Sequence, residues 1–352
     1  MARVGDTSID PARRVRVMQS FGAPRQTTNP YIHMLDAALA EAPGVEHLRF
    51  DRRRALLGRY DAIHFHWPET LLGGSTRLKA WARRVYARAL LSRLRLTNVA
   101  VIRTVHNVEL PKDVTRAERR MLEGIERRTD YRILLNEQTR VDGASTVIPH
   151  GHFRDWFARD GDTTPDPQTI GFVGLVRRYK GVEGLIQAFG ATRTGHPHWR
   201  LRIAGNPSSA ELADQLRTFA AGDERIAFDL RFLAEDDFAA AIARVRGLVL
   251  PYRFMHNSGV VLAALSLGRP VLVPQNEVNA ALADEVGPGW VHMFAGELDA
   301  RDLESFMAAV AGDPPAAPDL SARDWTRTGM LHAAAYADAV AARRTRAPER
   351  VR

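Results

Sequence analysis

Three clusters in this 352-residue chain combine side chains that can hold an anion or move a proton. The first runs from Phe172 to Phe189. An apolar stretch ends at Gly174, the cations Arg177, Arg178 and Lys180 follow, and a helical apolar spacing opens near Gly181. A strand end, a cationic loop and a helix N-terminus in that order form an anion site. Backbone amides, the helix dipole and the cations all present positive charge to one place, and glycine lets the backbone come close. The same loop can equally be a solvated basic turn of an ordinary βα unit. It is not a Walker A sequence, and no Gly-x-Gly-x-x-Gly follows the first strand, which disfavours a nicotinamide enzyme. The second cluster is Ile63-His64-Phe65-His66-Trp67-Pro68-Glu69. Strand alternation puts His64 and His66 on one face, Pro68 ends the strand, and Glu69 falls in the next loop. A histidine or carboxylate there can take a proton from a hydroxyl; His64 can equally be a packed core residue. Zinc is disfavoured for this pair, because no third ligand stands at motif spacing and the chain has no cysteine. The third cluster, Thr104-Val105-His106-Asn107, ends a β-branched run, and Asn107 can simply cap the loop.

These residues need a scaffold that ends its strands along a common edge. Strand-like runs at 15–21, 60–65, 99–105, 131–135 and 145–148 alternate with helical stretches. A short polar, proline-containing segment at 160–167 reads as a linker. The alternation then restarts, with strands at 169–173, 199–204, 225–228, 247–251 and 270–273 and helices between them. The expected fold is α/β: two Rossmann-like doubly wound domains, 1–160 and 168–323, facing each other across a cleft, followed by a helix over 324–342. Ligands of such sheets lie beyond the carboxyl ends of the strands, here in the cleft. The segment Ile148-Pro149-His150-Gly151-His152 would line it, with Trp156 in a packing role.

Composition excludes other classes. Apolar residues at 45% and charged residues at 26% are ordinary globular usage, which rules out a mainly disordered or fibrous chain. No apolar run approaches the roughly 18 residues of a membrane span, and the polar N-terminus carries no secretory signal, so a cytoplasmic protein is expected. The absence of cysteine removes disulfides, thiolate metal sites and thiol nucleophiles. The net charge of +8 is uneven: residues 1–165 hold 28 Lys and Arg against 19 Asp and Glu, and the remainder 21 against 22. A basic half suggests an anionic partner, although the preponderance of arginine can also reflect a GC-rich genome. The segment from Arg77 to Arg95 holds seven cations and two aromatics at helical spacing. It can lie on an anionic membrane surface, or pack on its own sheet with a solvated basic face. No helix-turn-helix, zinc or RNA-recognition motif is present, so nucleic acid is not an expected partner.

The 172–189 segment resembles the F-x-G-x5-K-G-x3-L-I-x-A-F stretch that opens the C-terminal domain of GT-B glycosyltransferases, in particular glycosyltransferase family 4 and bacterial relatives that make β-mannosides. Leu201-Arg202-Ile203-Ala204-Gly205-Asn206, Val249-Leu250-Pro251-Tyr252, Asn257-Ser258-Gly259 with Ala264 to Val271, and Asp324-Trp325 before the last helix agree in order. The resemblance implies a nucleotide-sugar donor, with GDP-mannose first. The implied donor-binding residues are Gly174, Arg177, Arg178, Lys180, Gly205, Asn257, Ser258 and Gly259. It implies Glu69, His66 or His106 as catalytic base, and His64, Asn107, His150 and His152 on the acceptor side. The implied acceptor is a saccharide or lipid-linked saccharide, reached from the inner face of the plasma membrane. Neither metal nor cofactor is implied, with the cations of the loop in a metal's place. The sequence departs from the family in two places. Retaining members carry Glu-x7-Glu in the donor loop and helix, whereas no Asp or Glu occurs from Phe238 to Asn276. Leu175, not arginine, follows Gly174. Both departures match the inverting β-1,4-mannosyltransferase-like branch. A sugar-nucleotide epimerase of the same architecture and a non-catalytic polyanion-binding protein are the alternatives.

Overall fold

The computed structural model describes residues 14–72, 76–106, 115–157, 163–220, 222–312 and 316–346. The chain divides into a first unit, Met1–Gly151 with Arg323–Arg352, and a second unit, His152–Ala322. The first contains β1 (Val15–Gln19), α1 (Pro30–Glu41), β2 (Val45–Leu48), α2 (Arg52–Leu57), β3 (Ala62–Phe65), α3 (Arg77–Leu96), β4 (Ala100–Val105), α4 (Arg116–Arg128), β5 (Tyr131–Leu134) and β6 (Ser145–Val147). The second contains β7 (Asp166–Val173), α5 (Val182–Ala191), β8 (Arg200–Ala204), α6 (Ala210–Phe219), β9 (Ile226–Asp229) and α7 (Glu235–Ala243), followed by β10 (Val245–Val249), α8 (Gly259–Ser266), β11 (Val271–Pro274), α9 (Glu277–Val286), β12 (Val291–Phe294) and α10 (Ala300–Ala309). The last helix, α11 (Trp325–Arg346), belongs to the first unit.

Each unit is built on a six-stranded parallel sheet, in the orders β2-β1-β3-β4-β5-β6 and β12-β11-β10-β7-β8-β9. The central strands are buried on both faces, as a parallel sheet sandwiched by helices requires: Val17, Ile63, Val101, Ile170, Ile203 and Leu248 are all inaccessible. The strand order reverses beside β1 in the first unit and beside β7 in the second, because each pairs with the next strand on one side and a later one on the other. Such a reversal opens a crevice at the carboxyl ends of the strands. In the first unit those ends carry Gln19, His66 and His106; in the second they carry Gly174 and Tyr252.

Two boundaries differ from the sequence expectation. The stretch 152–157 belongs to the second unit, because Phe153 N donates to Ser266 Oγ (2.9 Å) and Trp156 Nε1 to Glu235 Oε2 (3.1 Å). Asp166 and Pro167, expected in a linker, begin β7, where Asp166 pairs with Val245. Strands β2 and β12 stand at sheet edges and have no counterpart in the sequence reading. Their residues, Val-Glu-His-Leu and Val-His-Met-Phe, lack a long β-branched run.

Helix α11 joins the first sheet through α1 and a polar seam. A Cβ on Gly329 would stand 2.7 Å from the carbonyl oxygen of Ala38, so glycine is what lets the two helices approach. Beyond it, the fully buried Tyr336 hydroxyl accepts from Gln19 Nε2 (3.1 Å) and bonds His64 Nδ1 (2.8 Å). His332, also buried, donates through Nδ1 to Thr328 O (2.8 Å), and burial lowers its pKa to about 4.

Two stability outcomes follow from this packing. Gly→Ala inside a helix normally gains up to about 1 kcal/mol. Gly329→Ala instead loses about 1–3 kcal/mol, because the obstructing atom is backbone. Gly184→Ala in α5, where a Cβ meets open space, shows the gain; urea unfolding of both variants reads the opposite signs. His332 has a folded pKa below its unfolded value of about 6.5, so the unfolded state binds the extra proton and stability falls as pH drops from about 6.5 to 4. Unfolding free energies measured across that window have a shallower slope in His332→Phe.

Candidate active site

In the second unit, the loops after β7, β8 and β10 converge. Gly205, at φ 141°, holds the turn after β8 directly beneath the turn after β7: a Cβ there would lie 1.8 Å from Gly174 O. The two turns are joined by Val176 N to Asn206 O (3.0 Å) and Ser208 N to Val176 O (3.1 Å). The Arg177 guanidinium folds back onto Val176 O (2.8 Å) and Asn206 O (3.1 Å). Arg178 is exposed and turned toward α6, donating to Gln215 Oε1 (2.9 Å) with Glu183 nearby.

Lys180 is different. It is buried, 8% exposed, with Nζ 4.7 Å from the centroid of the Tyr252 ring. Gly174 lies between this ammonium and α8: a Cβ on Gly174 would be 3.8 Å from Lys180 Nζ and 3.3 Å from the Val260 side chain. No carboxylate among the described residues pairs with it. Burial, followed by repulsion from Arg177, lowers its pKa to about 8. Ser258 caps α8, its side chain accepting from Val261 N, and Gly259 is exposed at the first turn. The loop before α8, containing half-buried Asn257, is held from α9: Asn276 Nδ2 donates to Met255 O (3.0 Å). Positive charge thus collects at the crevice: a buried ammonium, a neighbouring guanidinium and a helix N-terminus. Tyr252, part of the motif, proves to be the ring beneath Lys180.

In the first unit the carboxyl edge holds a compact aromatic and histidine cluster. His64 has both ring nitrogens engaged, by Tyr336 OH and by Thr104 Oγ1 (2.8 Å each), so it is the packed residue of its two alternatives. Its ring is 4.0 Å from that of His66. His66 Nε2 bonds Gln19 Oε1 (3.2 Å). With the Gln19 amide turned so that Nε2 meets Tyr336 and Oε1 meets His66, the His66 Nε2–H donates to Gln19 Oε1. His66 Nδ1 carries the lone pair; it is buried and has no hydrogen-bond partner. Burial, with the other histidines, keeps His64 and His66 well below the ordinary imidazole pKa.

His106 stacks on Trp67, centroids 4.0 Å apart and 16° from parallel, and meets Tyr31 edge-on at 5.3 Å. Burial lowers its pKa to about 3. His150 packs against Tyr31 at 4.6 Å, and its pKa is lowered to about 4. These imidazoles are therefore neutral at physiological pH. Glu69 lies half-buried in a 3-10 turn, Pro68–Leu71, immediately after the cluster. His152 falls in the second unit, where its Nδ1 accepts from Arg154 N (3.3 Å). Asn107 lies outside the described residues. Sequence reasoning missed Gln19, Tyr31, His332 and Tyr336. Only Gln19 had a usable signal, its place at the carboxyl end of β1. Among the described residues no group of three or more His, Asp or Glu could hold a metal ion, and no helix is long and apolar enough to cross a membrane.

Known proteins share this chain's sequence and architecture. The profile described as Glycosyl transferases group 1 matches residues 167–312, which lie in the second unit. The chain is 42% identical over 336 residues to a GDP-mannose:glycolipid 4-β-D-mannosyltransferase of Xanthomonas campestris pv. campestris, covering 95% of each chain. Among solved structures it is similar to AviGT4, a glycosyltransferase involved in avilamycin A biosynthesis. The TM-score is 0.57 at 14% identity, covering 93% of this chain and 98% of that one. It is also similar to sucrose-phosphate synthase from Thermosynechococcus elongatus, with a TM-score of 0.56 at 15% identity, covering 96% and 99%. These likenesses show the α/β GT-B glycosyltransferase fold. With two-fifths of its residues shared across nearly its whole length, the chain belongs to the same glycosyltransferase family as the Xanthomonas mannosyltransferase.

Proposed function

We propose that this protein transfers mannose from GDP-mannose, with inversion at the anomeric carbon, to a saccharide carried on a lipid. The observation that carries the proposal is the buried ammonium of Lys180, which no carboxylate among the described residues neutralises. An unpaired buried charge is costly, and an incoming diphosphate removes the cost. The name of the Xanthomonas relative, a glycolipid 4-β-D-mannosyltransferase using GDP-mannose, supports the choice of donor and acceptor. Because GDP-mannose is α-linked, a β product means inversion. The lack of any carboxylate from Phe238 to Asn276 agrees, since no second nucleophile is offered there.

In the proposed reaction the second unit binds the donor. Lys180, Arg177 and the α8 N-terminus face the diphosphate, Gly174 and Gly259 keep side chains out of its way, and Gly205 lets the β8 turn support the β7 turn. The acceptor hydroxyl oxygen attacks the anomeric carbon from the side opposite the phosphate. The bond from that carbon to the phosphate oxygen breaks, and its electron pair leaves with GDP. Lys180 and Arg177 stabilise the charge that develops on the leaving oxygen, without a metal or cofactor. Glu69 takes the hydroxyl proton. The neutral His66, through Nδ1, and His106 orient the acceptor and are the alternative bases. A lipid-borne acceptor places the protein at the cytoplasmic face of a membrane, peripherally bound.

Incubation with GDP-mannose and a lipid-linked oligosaccharide extract, with the anomeric proton of the product read by NMR, tests this function. A β-mannoside with release of GDP is expected. Release of free mannose alone, or an α-mannoside, overturns it. In the same assay Glu69→Gln lowers kcat by about 10²–10⁴-fold while GDP affinity stays at the wild-type level. Lys180 loses its proton above about pH 8 in the free protein. Donor kcat/KM therefore falls as pH rises through that value. Lys180→Met removes this limb and lowers kcat/KM at pH 7 by about 10²–10³-fold.

A further inference from the structure

Of the 49 Lys and Arg residues in the chain only three are lysine, at positions 79, 112 and 180. Arginine is the rule, so a lysine at the donor crevice is a specific choice. An ammonium is a compact point charge, whereas a guanidinium is a broad planar fork. The side chain that receives this ammonium is Tyr252, with Lys180 Nζ 4.7 Å from the ring centroid. The face of an aromatic ring carries partial negative charge and attracts a cation, more strongly where water is excluded. Phe172, centroid 6.3 Å away, and Tyr179, 6.4 Å away and nearly edge-on, pack round the same ring.

Two contacts fix the ring's place. Arg253 N donates to Tyr179 O (2.9 Å), which joins the chain after β10 to the turn Arg178–Lys180. Gly181, at φ 67°, ends that turn against Pro251 O, from which a Cβ would stand only 2.2 Å. The other end of Tyr252 is polar. Its hydroxyl is buried and has no hydrogen-bond partner. Ser258, the cap of α8, stands beside it, but the Ser258 oxygen is engaged by Val261 N (3.4 Å). One side chain therefore touches both sources of positive charge at the crevice: the ring lies under the ammonium, and the hydroxyl lies at the N-terminus of α8. A buried hydroxyl with no partner is destabilising, and an acceptor oxygen on a ligand removes the penalty.

We propose that Tyr252 is a donor-site residue: its ring holds the Lys180 ammonium at the crevice, and its hydroxyl donates a hydrogen bond to a diphosphate oxygen of the nucleotide sugar. The hydroxyl assignment rests on the reading of a nucleotide-sugar donor. The ring assignment concerns the free protein and is tested without ligand. Tyr252→Phe keeps the ring and loses the hydroxyl; pentafluorophenylalanine at position 252 keeps the shape and reverses the polarity of the ring face. NMR titration of the full chain carrying isotope-labelled lysine has three side chains to resolve, and Lys180→Met identifies the signal of interest. Burial and Arg177 already lower the Lys180 pKa to about 8. Tyr252→Phe leaves it there, and the fluorinated ring lowers it by about one pH unit. Calorimetry with inorganic pyrophosphate and with GDP reads the hydroxyl. Tyr252→Phe loses about tenfold in affinity for both anions, while its unfolding midpoint without ligand equals or exceeds that of the wild type. A packing role would not pair weaker binding with undiminished stability. An unchanged Lys180 titration with the fluorinated ring overturns the ring assignment. Wild-type affinities in Tyr252→Phe, or a lowered midpoint, overturn the hydroxyl assignment. A wild type that binds pyrophosphate but not GDP overturns the proposed reaction, and the pyrophosphate affinities then decide the hydroxyl alone; a wild type that binds neither overturns both.

Discussion

An ammonium group withdrawn from water, with an aromatic ring beneath it and no carboxylate among the described residues beside it, is the constraint on which the donor crevice of the second unit depends. The turns around Lys180 are closely packed. Gly205 places the β8 turn under the β7 turn, Arg177 ties the two together through their carbonyls, and Tyr252 offers the face of its ring. A salt bridge would relieve the burial cost but would leave nothing for a ligand to neutralise. The depressed pKa is the measure of that unmet need.

The first unit solves a different problem. Several imidazoles are buried close together, and any that became charged would raise the cost for the rest. The structure keeps them neutral by burial and holds His64 in place through a chain of hydrogen-bond partners, from Gln19 through Tyr336 and His64 to Thr104. His66 Nδ1 and His332 Nε2 are buried and have no hydrogen-bond partner. Gln19 is the positioning residue for His66, bonded to His66 Nε2 on one side and held by the Tyr336 hydroxyl on the other.

Much of this was legible from the sequence. Interior strands such as Val99 to Val105 announce themselves by β-branched runs, and the glycine and lysine of the 172–189 segment mark a strand–loop–helix transition. The edge strands β2 and β12 were not legible: neither carries a β-branched run that sets a strand apart. The strand-end rule identified the edge to which His66 and His106 belong, but not the partners of His64, because Tyr336 stands 272 positions away. Arg178 reads like Arg177 in the sequence; only the structure separates a guanidinium folded over the turn from one drawn to Gln215.

The discontinuity of the first unit bears on how the protein matures. The second unit is one unbroken stretch, whereas the first closes only when α11 arrives, after the whole of the second has been made. During synthesis the usual order, in which the earlier domain folds first, is therefore inverted. Until Tyr336 leaves the ribosome, Gln19 and His64 have no partner from α11, and the nascent sheet remains open along the edge at which chemistry is proposed. The proposed acceptor side is therefore completed only after the whole chain of the proposed donor side has been synthesised.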